Sequence, residues 1–355
     1  MKVIFDTKSL YYLPQYLPVH NELLKLGIAT TFVFYESIHN SIVSKIANEH
    51  RLSFKWVEND LEAVDFYQAE KADWVFFANT FAYLDELHKV SKSAQLGHGI
   101  GPKASYYTKS SRAMTVRFVE GEYRRQRLAD RYPDDVFVDV GFCKLDPIFN
   151  GEVSSLSLSK DYGLNDDLPT ILYAPTFYPS SIERFPSKWP EEFKNFNIII
   201  KPHYFSITKK TYRKQLALLQ KWSKFDNVYL AKTEDYSLLP FFAVSDVLIS
   251  DASSALFEFA LLNKPVIWCD FLKLRWNYRG IFSYKFKKRM DQDYGNYADV
   301  AIHAKSYKNL KSIVISQLEN PQELEPIRLR LSEKLAGKTD GFASKRIVDY
   351  LMQNM

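Results

Sequence analysis

The chain is 355 residues long, 46% apolar and 25% charged, with 47 Lys and Arg against 42 Asp and Glu for a formal net charge of +5. That length allows two domains, each with its own core, and that composition excludes wholesale disorder and fibrous repeats. The charge excess is too small for a dedicated nucleic-acid binder, so no nucleic-acid partner is expected.

The N-terminal MKVIFDTKSLYY places Asp6 and Lys8 where a signal peptide needs an apolar stretch, and no apolar run reaches the roughly 18 residues of a spanning helix. A cytoplasmic protein is expected. Strand-like runs follow at Val3–Phe5, Thr31–Tyr35, Phe54–Val57, Trp74–Ala78, Ala94–Leu96, Met114–Val119 and Val136–Val140. Amphipathic stretches such as Tyr11–Leu26 and Glu36–Glu49 lie between several of them, a βαβ alternation that predicts a mostly parallel sheet. In Asn150–Leu168, Ser, Gly, Asn and Asp crowd together and the periodicity fades, as in an interdomain linker. The alternation then resumes, with strands at Thr170–Ala174, Ile198–Lys201, Val228–Leu230, Val247–Ser250 and Val266–Trp268 and helices near 208–224, 235–243 and 253–262. A basic, aromatic stretch follows Asp270, and helical patterns near 306–318, 321–336 and 341–353 close the chain. Cys143 and Cys269 lie far apart and form no C-x-x-C pair, so neither a disulfide framework nor a cysteine zinc site is expected.

The reading is α/β, with two doubly wound domains at 1–150 and 169–338 and a C-terminal helix at 339–355 packing back towards the first. Such domains bind ligands in loops beyond the carboxyl ends of their strands. Generic nucleotide fingerprints fail there. Gly97-His98-Gly99-Ile100-Gly101 lacks the G-x-G-x-x-G spacing, and Gly337-Lys338-Thr339 has Ser332 where a Walker A loop needs glycine.

Four strand ends offer chemistry. In GHGIGPK, three glycines and Pro102 make a turn whose backbone N–H groups, Gly99 among them, approach a substrate closely. His98 there suits a general base and Lys103 a phosphate contact; the alternative is a structural turn with a solvated histidine. Lys201-Pro202-His203 occupies the equivalent place in the second domain, either as a phosphate-binding and catalytic pair or as a strand end with a solvated lysine. Asp251, Ser253 and Ser254 open a helix after an apolar strand, with Glu258 one turn further on; this is a nucleotide-phosphate site with a carboxylate for ribose hydroxyls, or an ordinary helix cap. Thr176, in Tyr173-Ala174-Pro175-Thr176, is placed to bond the same phosphates or simply ends a strand.

Taken in order, HGIGPK, GFCKLD, YAPTF, KPH, SDASSALFEFALLNKPV and DGFASKRIVDYL resemble the CDP-glycerol glycerophosphotransferase family of teichoic-acid and capsule assembly, over about residues 95–352. The resemblance implies a GT-B architecture, two Rossmann-like domains facing a central cleft. It implies transfer of glycerol phosphate, or a related polyol phosphate, from a CDP-linked donor to a hydroxyl of a cell-surface polymer or lipid-linked acceptor. By the same resemblance His98 is the base, His203 binds or neutralises the donor phosphates, and Ser253, Ser254 and Glu258 hold the donor. The strand-end positions add Lys201, Thr176 and Asp251 to the donor side and Gly99 and Lys103 to the acceptor or phosphate side. No cofactor or metal is expected, since no D-x-D pair or other tight acidic cluster lies beside the motifs; Asp291 and Asp293 form D-Q-D, but in the basic region far from any predicted strand end. The basic stretch Lys273–Arg289 interleaves Lys and Arg with Phe, Trp and Tyr and suits an anionic membrane surface at the inner face of the cell membrane; a loop gripping the acceptor's phosphates, or a solvated charged face, would have the same composition. A GT-B glycosyltransferase using a nucleotide sugar, or a non-catalytic nucleotide- or polyanion-binding protein, is the alternative reading.

Overall fold

Runs rich in β-branched and aromatic residues become central strands here because both faces of a parallel sheet are covered. The structure, a computed structural model, describes residues 1–36, 40–97, 99–101, 107, 113–153, 160–251, 253–274 and 297–355. Two units are formed. One takes Met1–Ile100, the described residues up to Glu152, and Glu333–Met355; the other takes Gly101 and the described residues from Val153 to Ser332. The chain thus rejoins the first unit at Glu333, inside the helix Glu325–Ala336, six residues before the tail marked out by the sequence.

The first unit holds β1 (Lys2–Thr7), β2 (Ala29–Tyr35), β3 (Phe54–Val57), β4 (Trp74–Phe77), β5 (Lys92–Leu96), β6 (Val116–Val119) and β7 (Phe137–Asp139). They pair in parallel in the order β3-β2-β1-β4-β5-β6-β7, so the winding reverses between β1 and β4. The second unit holds β8 (Thr170–Tyr173), β9 (Asn197–Ile200), β10 (Val228–Leu230), β11 (Val247–Ser250), β12 (Val266–Cys269) and β13 (Ile302–Ala304). Their order is β10-β9-β8-β11-β12-β13, again parallel, and the reversal falls between β8 and β11. Ligands of doubly wound sheets bind at such reversals.

Tyr173, Phe185, Trp189 and Trp222 pack together in the core of the second unit, with Tyr173 and Trp189 edge to face at 5.9 Å. At about 25 cal/mol per Å2, burying each such ring contributes about 4–6 kcal/mol of gross transfer free energy. This gives the strand ends a rigid base.

Two sequence motifs prove to be structural. Asp146, in GFCKLD, accepts from the Ser344 N–H and hydroxyl, both at 2.7 Å, and from the Ala343 N–H at 3.3 Å, at the start of the helix Ala343–Gln353. Arg346, in DGFASKR, donates to the Val140 carbonyl at 2.8 Å and forks onto Asp340. Together they lock the terminal helix onto the first unit.

Candidate functional site

The all-buried strand β9 runs straight into Lys201-Pro202-His203. The Lys201 N–H still bonds the Tyr173 carbonyl at 2.9 Å, but Pro202 has no N–H to give and the strand stops. His203, with an extended backbone, becomes the cap of the short helix Tyr204–Thr208: its Nδ1 accepts the Phe205 N–H at 3.1 Å. An accepting Nδ1 puts the proton of the neutral ring on Nε2, which makes that edge a donor. Phe177 and Phe205, with ring centroids 4.6 and 5.0 Å away, hold the imidazole in place. The residue that the sequence offered as a strand-end histidine is therefore a helix cap with a fixed tautomer.

Lys201 is half-buried, and its ammonium has no hydrogen-bond acceptor or ion-pair partner among the described residues. Burial pushes it down to about 8, with the charge of Asp235 pulling the other way. At pH 7 it remains about nine-tenths protonated. A desolvated cation without a counterion in contact attracts an anion, because the anion restores what burial removed.

The loop after β8 is tied to the loop after β11, across the reversal point. Ala174 N–H reaches the Ile249 carbonyl at 3.0 Å, and the Ser250 hydroxyl reaches the Ala174 carbonyl at 2.5 Å. Asp251 completes the tie. Its Oδ1 accepts the Thr176 N–H at 2.7 Å, and its Oδ2 accepts the Ser181 N–H and hydroxyl, both at 2.9 Å, and the Ser180 hydroxyl at 3.5 Å. Asp251 was expected to touch the donor. Its carboxylate is instead fully buried with both oxygens occupied by the protein, so it positions a loop and does not face a ligand. Burial pushes it up to about 6 against the pull of these hydrogen bonds. The Thr176 N–H is consumed by this staple, while its hydroxyl, half-exposed, has no partner among the described residues.

Ser253 donates its N–H to the Asp251 carbonyl at 2.6 Å and accepts the Ala255 N–H on its hydroxyl at 3.3 Å. The Ser254 hydroxyl makes no cap bond to the helix Ala255–Ala260 and stays available on a half-exposed residue. Glu258 is buried within that helix. Phe257, on the same helix, meets Gly101: the glycine has φ +111°, and a Cβ there would stand 2.7 Å from the ring. The last glycine of GHGIG is thus required twice, by its backbone angle and by the ring against it.

His98 and Lys103 lie outside the described residues, as do Asp291, Asp293 and the basic stretch from 275 onwards; Gly99 is described and buried. Sequence reasoning missed Ser180 and Ser181, the partners of Asp251. Their signal was the Ser-Ser pair shortly after the YAPTF strand end, which no local spacing rule links to a residue 70 positions away.

Two Rossmann-like units, each a doubly wound parallel sheet, are the make-up of the GT-B fold class. The family profile of CDP-Glycerol:Poly(glycerophosphate) glycerophosphotransferases matches residues 14–353, and the chain belongs to that family. The teichoic acid glycerol-phosphate primase of Bacillus spizizenii is 33% identical over 135 residues, 38% of this chain and 34% of the relative. The teichoic acid poly(ribitol-phosphate) polymerase of the same organism is 24% identical over 313 residues, 78% of this chain and 47% of the relative. The chain spans half or less of the length of these relatives. Among solved structures, a variant of the wall teichoic acid polymerase TagF superposes with a TM-score of 0.69 over 100% of this chain and 88% of that one, at 16% identity. A UDP-GlcNAc 2-epimerase from Neisseria meningitidis reaches 0.64 over 100% of both chains, also at 16% identity, which speaks for the fold alone.

Proposed function

We propose that this protein transfers glycerol phosphate, or a related polyol phosphate, from a CDP-linked donor to a hydroxyl of a cell-envelope polymer or lipid-linked acceptor. Membership of the family supports the reaction class, and TagF structures include one soaked with CDPG. The observation that carries the reading is that one strand-end loop carries both His203 and a desolvated Lys201 ammonium with no hydrogen-bond acceptor or ion-pair partner among the described residues. The Thr176 and Ser254 hydroxyls lie on the neighbouring loops. Such a set receives a diphosphate.

In the reaction the acceptor oxygen forms a bond to the β-phosphorus, the bond from that phosphorus to the CMP oxygen breaks, and the hydroxyl proton passes to His98. Lys201 and His203 stabilise the charge that builds on the transferred phosphoryl group and on departing CMP. Ser253 and Glu258 complete the donor contacts, Gly99 and Lys103 those to the acceptor or its phosphates, and Asp251 acts through Thr176. No metal enters this scheme, and the rate should survive EDTA; strict dependence on magnesium or manganese would overturn it. We place the protein at the inner face of the cell membrane, on the basic and aromatic composition of 273–289. No helix among the described residues is long and apolar enough to cross a membrane.

The test is a panel of CDP-glycerol, CDP-ribitol and UDP-sugars with acceptor, reading nucleotide release. CMP release that depends on acceptor is expected, with a loss of about 100-fold or more in His203→Ala, the usual contribution of an acid–base or charge-stabilising side chain. Release of UDP alone, or full activity in His203→Ala, would sink the proposal.

A further inference from the structure

We propose that the first unit holds a second ligand site, a pocket at the ends of β1 to β4 that takes a neutral, hydroxyl-rich group of the acceptor, a sugar or polyol. This deepens the reading above and rests on it for the word acceptor, but not for the pocket itself. The pocket is an open concavity of about 640 Å3, lined by Lys8, Tyr35, Asn59, Asp60 and Tyr83 among others. That volume suits a group of sugar size. Lys8 follows β1 directly, Tyr35 ends β2, Asn59 and Asp60 follow β3, and Tyr83 follows β4. Four neighbouring strands thus deliver the walls at their carboxyl ends, beside the winding reversal between β1 and β4.

Charge decides the class of ligand. The Lys8 ammonium sits 2.6 and 2.8 Å from the two Asp60 oxygens, so its charge is already answered. A phosphate would have to displace Asp60 or approach its carboxylate, which disfavours it. A hydroxyl meets no such obstacle: it donates to an Asp60 oxygen and accepts from Lys8, as polar groups do in sugar sites. Asn59 adds a donor. Its side-chain oxygen is taken by the Leu61 and Glu62 N–H groups at 3.0 and 3.1 Å, while its amide nitrogen has no partner among the described residues.

The apolar wall is fixed in advance. Lys8 lies 5.4 Å from the centre of the Tyr35 ring, and the Tyr35 hydroxyl donates to Asp6 Oδ2 at 2.7 Å, an oxygen shared with Tyr67 at 2.8 Å. Tyr35 is therefore pinned from behind as a buried ring in the pocket lining, and half-exposed Tyr83 supplies the accessible aromatic face. Aromatic faces of this kind pack against the C–H faces of sugars at little entropic cost. The uncompensated Lys201 of the second unit has the opposite preference, which separates a site for phosphates from a site for hydroxyls.

Saturation-transfer NMR on the full chain tests this, with maltose and ribitol as neutral probes and inorganic phosphate as the anionic one. Both neutral probes should show transfer that phosphate does not compete away, and Asp60→Ala and Tyr83→Ala should each weaken it at least about threefold with an unchanged thermal midpoint. In the transferase assay the same variants should raise the acceptor KM about 10-fold and leave the donor KM alone. Should Asp60→Ala fail to fold, Tyr83→Ala decides. Absence of transfer to both neutral probes, transfer unchanged in the variants, or displacement by phosphate overturns the pocket. Variant-sensitive binding in a protein that releases no CMP from any donor upholds the pocket and overturns the proposed reaction instead.

Discussion

Asp251→Asn keeps the volume of the side chain and removes its charge, so it isolates what that buried charge costs. In the native protein the carboxyl is raised from 3.8 to about 6, with burial as the leading cause. Two units of difference correspond to about 3 kcal/mol between the protonated and ionised forms. The native state holds the proton more tightly than the unfolded chain, so this contribution is fully present below about pH 4 and lost as pH rises through 6. Between pH 5 and pH 7 the loss is about 1.4 kcal/mol. Asn has no proton to exchange, and its amide must turn one N–H group towards a donor, most cheaply towards the Thr176 N–H that Oδ1 alone accepts. The second effect shifts the whole curve of the variant; only the first changes its slope. Hydrogen exchange at the Thr176 and Ser181 amides, corrected for intrinsic rates and measured at pH 5, 6 and 7, should show protection that rises towards pH 5 in the wild type and stays flatter by about 1.4 kcal/mol in the variant. Parallel profiles would mean that Asp251 carries its charge at no cost, and the account of the staple would be wrong.

The lysine titrates in the opposite sense: with Lys201 near 8, kcat/KM for the donor should fall as pH rises through that value, and Lys201→Arg should hold the profile level to higher pH, since guanidinium does not deprotonate there. A profile unchanged by the substitution would remove Lys201 from the donor site. Gly101→Ala forces a side chain to φ +111° and into the Phe257 ring, which should lower the melting temperature by several degrees, and Phe257→Ala in the same chain should relieve the ring contact but not the backbone strain. A single Gly101→Ala variant as stable as the wild type refutes that packing.

Strands of the two sheets were legible because a parallel strand buried on both faces is a short uninterrupted apolar run, and WVFF, NIII and VLIS stand out as such. β13 was not, since Ile302-His303-Ala304 is three residues with a histidine in the middle and becomes a strand only by pairing with β12. The helix Glu122–Arg131 hid for a different reason. Of its ten residues only Arg124 and Leu128 are buried, and Arg124 is admitted by an ion pair with the equally buried Glu120, so the inward face shows no apolar stripe. At the site, residue types and strand-end positions could be read locally, and Thr176, Lys201, His203 and the Ser253–Ser254 turn do follow β8, β9 and β11 as the sequence placed them. The role of Asp251 could not. Whether a carboxylate after a strand faces a ligand or the protein depends on donors far along the chain, here the Ser180–Ser181 pair.

That inward turn of Asp251 has an electrostatic consequence for the neighbouring cation. A carboxylate open to the same crevice as Lys201 would compete with a diphosphate for the ammonium and repel the ligand directly; at 4 Å two unit charges interact by about 4 kcal/mol at an effective dielectric of 20. Four donors on Thr176, Ser180 and Ser181 face the Asp251 oxygens instead, which turns its field into the fold, and the carboxylate whose charge acts on the Lys201 ammonium is Asp235. The two strand-end loops thereby divide the work: one spends its hydrogen bonds on rigidity, the other withholds its charge for a ligand. In the pocket of the first unit Asp60 is left open to Lys8, and the same pair of residue types cancels. In the proposed assignments, whether an acidic side chain is stapled inward or left beside a lysine is what would set one crevice for phosphate and the other for hydroxyls.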